Sequence, residues 1–195
     1  CRGVRKHKEK PRDFYADDAV WFAVYNTAVE ELKDAMDIAY LTGQRPADVL
    51  KMRETDLRNG SLEVVQNKTK KRLRIMLNND DGSRTQLGQV LDRIRSRPRK
   101  VRSLFLVATK SGIPLNKNTL RLRFDNARST AVDELLAQGN QVLADRVRQF
   151  QFRDIRPKAA SELPLAHASK LLGHTQHDIT EKVYRRVGEI VKPTK

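Results

Sequence analysis

This sequence is short of cysteine, of long apolar runs and, relative to its basic residues, of acidic ones, and each shortage removes a class of protein. The single cysteine, Cys1, cannot form an internal disulfide, so nothing demands an oxidising compartment. Without a cysteine cluster, His167 and His177 have no closing pair of ligands with zinc-site spacing. No stretch approaches the roughly 20 apolar residues needed to cross a bilayer. The six phenylalanines and four tyrosines form no stripe on which bases would stack, which argues against a reader of single-stranded RNA. Acidic side chains number 24 against 39 Lys and Arg, a net charge of +15 that pulls toward a polyanion. Nucleic acid is the expected partner, no membrane is, and the expected setting is the cytoplasm near the nucleoid. There is no internal repeat and no low-complexity tract.

What is present reads as one domain of 195 residues, long enough for a substantial core. Residues 1–12 form a basic linker, and residues 13–195 form the folded unit. A start at Cys1 within such a linker leads us to expect a fragment of a longer protein. Apolar residues at helical spacing predict one helix from Asp17 to Leu41, capped by Asp17 or Asp18 and ended by Gly43. Pro46 suits the first position of a short helix carrying Val49, Leu50 and Met52 inward. Leu62–Gln66 and Leu73–Leu77 read as strands joined by the cationic turn 67–71, and Leu104–Val107 as a third strand. Helices are expected over Thr85–Ser96 and Lys117–Leu136, the latter with Arg121, Arg123 and Arg128 on its exposed side. Shorter helices are expected over Asp154–Glu162, Pro164–Leu172 and Ile179–Val187, with Gly139 and Gly173 as punctuation. The fold class is α+β, mainly α, with a small three-stranded antiparallel sheet.

The chemistry is carried by dispersed residues. Arg45 and Arg156 each stand immediately before a proline at a helix start, where free N–H groups already favour an anion. Two such junctions suggest two guanidiniums converging on one phosphate, whose oxygens the planar fork matches. Asp48, three residues after Arg45, is placed either to brace it or to cap the helix. Lys68, at the hairpin tip, has the reach to protonate a leaving oxygen. Lys70, Lys71 and Arg72 have equal access to backbone phosphates, as do Arg121, Arg123 and Arg185. His174 follows a helix that Gly173 would cap, placing an imidazole near a phosphate oxygen. Tyr184 is the only tyrosine in the carboxyl-terminal half, and its phenol becomes a competent nucleophile where cations lower its pKa.

In this order the blocks Leu41-Thr-Gly-Gln-Arg45, Asn67-Lys68-Thr69, Arg153-Asp-Ile-Arg156, Leu171-Leu-Gly-His174 and Tyr184 resemble the catalytic domain of tyrosine recombinases, especially phage-type integrases. The resemblance runs from about Arg12 to Lys195, and the family's amino-terminal core-binding domain would be missing. Two features depart from it. Arg153 stands where the family has histidine, and a guanidinium cannot act as a base. Tyr184 lies ten positions after His174, one more than the family pattern.

The resemblance implies a site-specific recombinase in which Tyr184 attacks a DNA phosphate. Arg45, Arg153, Arg156 and His174 would stabilise the developing charge, and Lys68 would protonate the leaving 5′ oxygen. It implies double-stranded DNA with a specific core site as partner, a homotetramer on DNA that is monomeric in isolation, and no metal, ATP or other cofactor. The alternatives are a DNA-binding domain without chemistry and a type IB topoisomerase.

Overall fold

The computed structural model of the protein describes residues 12–98, 101–173, 179–184 and 186. Most of the basic linker, together with His174, His177 and Arg185, therefore lies outside the described residues.

The expected first helix is two. Asp17 caps α1 (Asp18–Thr27) by accepting from the Val20 amide at 3.1 Å. α1 stops where the Thr27 hydroxyl turns back onto the Val24 carbonyl (3.0 Å) and across to Ala127 (2.8 Å). After two extended residues, α2 (Glu30–Thr42) begins with Glu30 and Glu31 facing its positive end. Ala28 and Leu32 are both buried and keep helical spacing through the break, so the apolar pattern carries no trace of it. α2 ends at Gly43, and α3 (Pro46–Val49) starts with Pro46 in its first turn.

The sheet has three antiparallel strands in the order β1 (Leu57–Arg58), β2 (Ser61–Val65) and β3 (Arg72–Met76). Its third strand is not the expected one. β1 pairs with β2 through a two-residue turn, Asn59-Gly60, whose positive φ values of 48° and 68° match the twist of a tight hairpin. Leu104–Val107 makes only an isolated bridge, Phe105 opposite Arg53, while Leu106 donates to the Met52 carbonyl at 3.0 Å. Its apolar run reflects burial of Leu106 and Val107 in the core rather than a ladder.

Thr85 caps α4 (Gln86–Ser96), and Asn116 caps α5 (Lys117–Ala137). α6 (Gln141–Gln149) was not expected, because it turns only Ala144 and Val147 fully inward and is otherwise polar. α7 (Ile155–Ser161) and α8 (Leu165–Leu172) follow, and a π-helical turn, Thr180–Tyr184, is the last element described. The main core joins α1, α2, α4, α5 and α6 to one face of the sheet. Phe124 meets Phe150 and Phe152 edge-on, with ring centroids 5.1 and 5.7 Å apart. A smaller apolar cluster of Ala160, Ala168 and Leu172 receives Leu163 and Tyr184. Among the described residues no helix is long and apolar enough to cross a membrane.

Two polar clusters fasten the helices. Arg12, assigned to the linker from sequence, forks onto Asp154 at 2.9 and 3.0 Å. The nearly buried Lys158 pairs with Asp18 and Glu162 at 2.6 Å each, and Glu162 also accepts the Tyr15 and Tyr40 hydroxyls. The entering chain is thus laced to α7.

On the far side, fully buried Asp34 is held by Arg97 (2.7 and 3.0 Å) and Arg93 (3.2 Å), tying α4 to α2. Neighbouring Asp37 accepts from Arg93 and Tyr25, yet burial pushes its carboxyl above the ordinary range. Arg97→Met should therefore destabilise the fold by about 3 kcal/mol, since it strips a buried carboxylate of its two best donors. In a thermal melt that loss appears as a Tm lower by roughly 6–12 °C; an unchanged Tm would mean that Arg93 suffices for Asp34.

Candidate active site

Arg45 occupies the position before α3 and is half-buried, with its Nη1 buried and making no hydrogen bond. Arg156, in the first turn of α7, is 4% exposed. Its Nη1 donates to the Gly43 carbonyl and its Nη2 to the Leu172 carbonyl at 2.9 Å, so the guanidinium bridges the end of α2 and the end of α8. Burial pulls its pKa down to about 10, helped by the charge of Arg45 and opposed by Tyr184 and Asp48. It is still a cation at neutral pH.

The π-helical turn brings Tyr184 to these two arginines. The Arg156 guanidinium carbon lies 5.0 Å from the centre of the Tyr184 ring. Burial opposes ionisation of the phenol, but the charges of Arg156 and Arg45 outweigh burial and hold its pKa below the ordinary tyrosine value. Below Tyr184, Ser161 donates to its carbonyl at 3.3 Å and accepts the Arg186 amide at 2.7 Å, which fixes the turn to α7. The two Arg-Pro junctions and the terminal phenol, 139 residues from Arg45 to Tyr184 (184 minus 45), form one site.

Lys68 is exposed at the tip of the β2–β3 loop. Asp48 neither braces Arg45 by a hydrogen bond nor caps α3; its Oδ1 accepts the Asn67 amide at 2.7 Å and lies 3.6 Å from Lys51. It thereby anchors the lysine loop to the helix that carries Arg45, a link for which the sequence offered no signal.

Arg153 is exposed and lines a groove of about 600 Å³ with Pro46, Lys117, Arg121 and Phe152, beginning next to Arg45. Lys70, Arg72 and Arg121 are exposed, and Lys71 is partly so. Arg123 corrects the expectation of an outward-facing arginine, because it turns inward to pair with Glu31 at 2.6 Å. Arg128 is likewise spent, on the Phe150 carbonyl (2.9 Å) and Asp125 (2.9 Å). Among the described residues no group of three or more His, Cys, Asp or Glu is arranged to hold a metal ion.

The sequence pattern of the phage integrase family matches residues 18–189, which include Arg45, Lys68, Arg153, Arg156 and Tyr184. The chain belongs to the phage integrase family. The integrase of Escherichia phage HK022 is 30% identical over 144 residues, which are 73% of this chain and 38% of that protein. The chain thus spans about two fifths of the length of that curated relative. Among solved structures, a lambda integrase tetramer bound to a Holliday junction superimposes with a TM-score of 0.72 at 19% identity, covering 98% of this chain and 54% of that one. The lambda integrase catalytic core gives 0.62 at 22% identity over 85% of this chain and 96% of that one. At these identities the likeness is one of fold. It places this phage integrase family member's helices and three-stranded sheet in the arrangement of an integrase catalytic core.

Proposed function

We propose that this chain is the catalytic domain of a site-specific recombinase that cuts and rejoins double-stranded DNA through a 3′-phosphotyrosyl intermediate. The observation that carries the reading is the Tyr184 phenol held against Arg156 and Arg45 with its pKa lowered. The phenolic oxygen forms a bond to phosphorus as the bond from phosphorus to the 5′ oxygen breaks; the phenol's proton leaves to solvent, and Lys68 supplies one to the departing 5′ oxygen. Arg45 and Arg156 meet the charge that grows on the non-bridging oxygens, and His174 joins them. Arg153, unable to accept a proton, contributes with Arg121 as a donor along the flanking phosphates. Attack by another strand's 5′ hydroxyl reverses the step. One phosphodiester replaces another of similar energy, so ATP is not required, and the cations do the electrostatic work.

The partner would be DNA carrying a core site, bound by four copies in the cytoplasm, with Lys70, Lys71, Arg72 and Arg185 on the backbone. A module that only grips DNA has no use for a phenol activated by two guanidiniums, which favours chemistry over simple binding. Incubating the full-length protein with a pool of randomised nicked duplexes should trap a protein–DNA species that survives denaturant and whose DNA shares a core sequence. Complete absence of such a species across the pool would overturn the reading.

A further inference from the structure

We infer that buried Gln66 and Gln44, together with Thr69, form a hydrogen-bonded relay that positions Lys68 for proton transfer and references it to the same carbonyl that holds Arg156. The inference rests on the reading above, in which Lys68 protonates the leaving oxygen.

Gln66 is fully buried and is the last residue before the loop that carries Lys68. Its Nε2 donates to Gln44 Oε1 at 2.7 Å and to the Leu172 carbonyl at 2.9 Å, and its Oε1 accepts the Thr69 hydroxyl at 2.5 Å. Gln44, also buried, donates from Nε2 to the Thr42 carbonyl (2.8 Å) and the Leu171 carbonyl (3.0 Å). Each amide thus uses both of its N–H groups and its oxygen. The Leu171, Leu172 and Thr42 carbonyls can only accept, so turning either amide over would oppose oxygen to oxygen in a dry interior. The network has one arrangement.

That arrangement fixes the loop from two directions. The Gln66 backbone closes it, donating to the Lys71 carbonyl and accepting the Lys70 amide, both at 2.9 Å. The Gln66 side chain draws in Thr69, the residue next to Lys68. The Leu172 carbonyl accepts from both Gln66 and Arg156 Nη2, so the lysine loop and the buried arginine share one anchor at the end of α8. Gly173 makes room for it: a Cβ there would stand 2.8 Å from both Nε2 and Oε1 of Gln66, at a φ of +70° that side chains resist. A lysine on a solvent-exposed loop has a long, rotatable stem, and a fixed loop reduces the freedom it must lose to reach the leaving oxygen.

The test compares two nicked DNA substrates, one with the ordinary 5′ oxygen and one with sulfur bridging at that position. A thiolate leaves without being protonated, so a defect in proton delivery vanishes on the sulfur substrate while a defect in folding or phosphate binding persists. Thr69→Val should slow cleavage of the ordinary substrate by about 10- to 100-fold, a share of what general-acid catalysis supplies, and should cleave the sulfur substrate at the wild-type rate. Thr69→Ser, which keeps the hydroxyl, should restore the ordinary reaction. Gln66→Met should repeat the Thr69→Val pattern. Because Gln66 is buried its melting temperature is checked, whereas the exposed Thr69 tests the relay even if the Gln66 variant does not fold. Lys68→Ala is the control. If its defect persists on sulfur, the acid assignment itself fails; if Lys68→Ala is rescued while Thr69→Val is equally slow on both substrates, or not slow at all, the relay is refuted.

Discussion

Replacing Tyr184 by phenylalanine will abolish the covalent protein–DNA species and lower strand exchange by at least about 10⁴-fold, the scale on which removal of a nucleophile acts. The fold should be nearly indifferent to the change. The ring would still lie against the Arg156 guanidinium and on the cluster of Ala160, Ala168 and Leu172. Only the phenolic oxygen, whose ionisation Arg156 and Arg45 favour, is removed. DNA affinity, which rests on the basic surface, should change little. The same two cations set the pH dependence. The ionised phenol is the reactive form, so adduct formation rises with pH and levels off above the phenol's pKa, which lies below the ordinary value of about 10. Arg45→Ala removes one cause of that lowering and should move the break to higher pH. A Tyr184→Phe protein that still forms a denaturant-resistant adduct would assign the nucleophile elsewhere.

Arg45, Arg156 and Tyr184 were legible in the sequence because each carries a local mark. The prolines after the arginines announce helix starts, and the tyrosine has no rival in its half of the chain. Their meeting was expected from the order of the blocks. What was not legible depends on distant partners. Gln66 finds Gln44 and Leu172 across 22 and 106 residues, and no spacing marks a buried amide whose partners are carbonyls. Helical phase placed Arg123 outside, yet Glu31, on another helix, draws it in. The break between α1 and α2 leaves the apolar period intact. Leu104–Val107 shows the reverse, since burial alone produces its strand-like run, while the Asn59-Gly60 turn follows a two-residue β1 too short to show any alternation.

Arg156→Met should separate catalysis from stability at the most buried of the catalytic candidates among the described residues. Its pKa, lowered to about 10 from the ordinary guanidinium value, means that the folded protein binds this proton less tightly than the unfolded chain does. At neutral pH, below both values, the charge opposes folding, and that opposition would be relieved only as pH climbs through 10. Methionine fills a similar volume without the charge, and such exchanges of buried ions for apolar groups are often neutral. The carbonyls Arg156 leaves behind are not equally exposed to loss: Leu172 keeps its bond from Gln66, so Gly43 bears most of the deficit. The expected stability change is therefore within about 2 kcal/mol, measured by denaturant unfolding at pH 7. Catalysis has no such compensation. Without Arg156 the phenol loses the larger of its two cationic partners and the phosphate loses a two-pronged donor, so cleavage should fall by about 10³-fold on ordinary and sulfur-bridged DNA alike. Arg156→Lys restores charge but not the fork that spans Gly43 and Leu172, and should recover little of the rate. Near-normal cleavage by Arg156→Met would show that Arg45 alone activates Tyr184, leaving Arg156 as a structural clamp between α2 and α8.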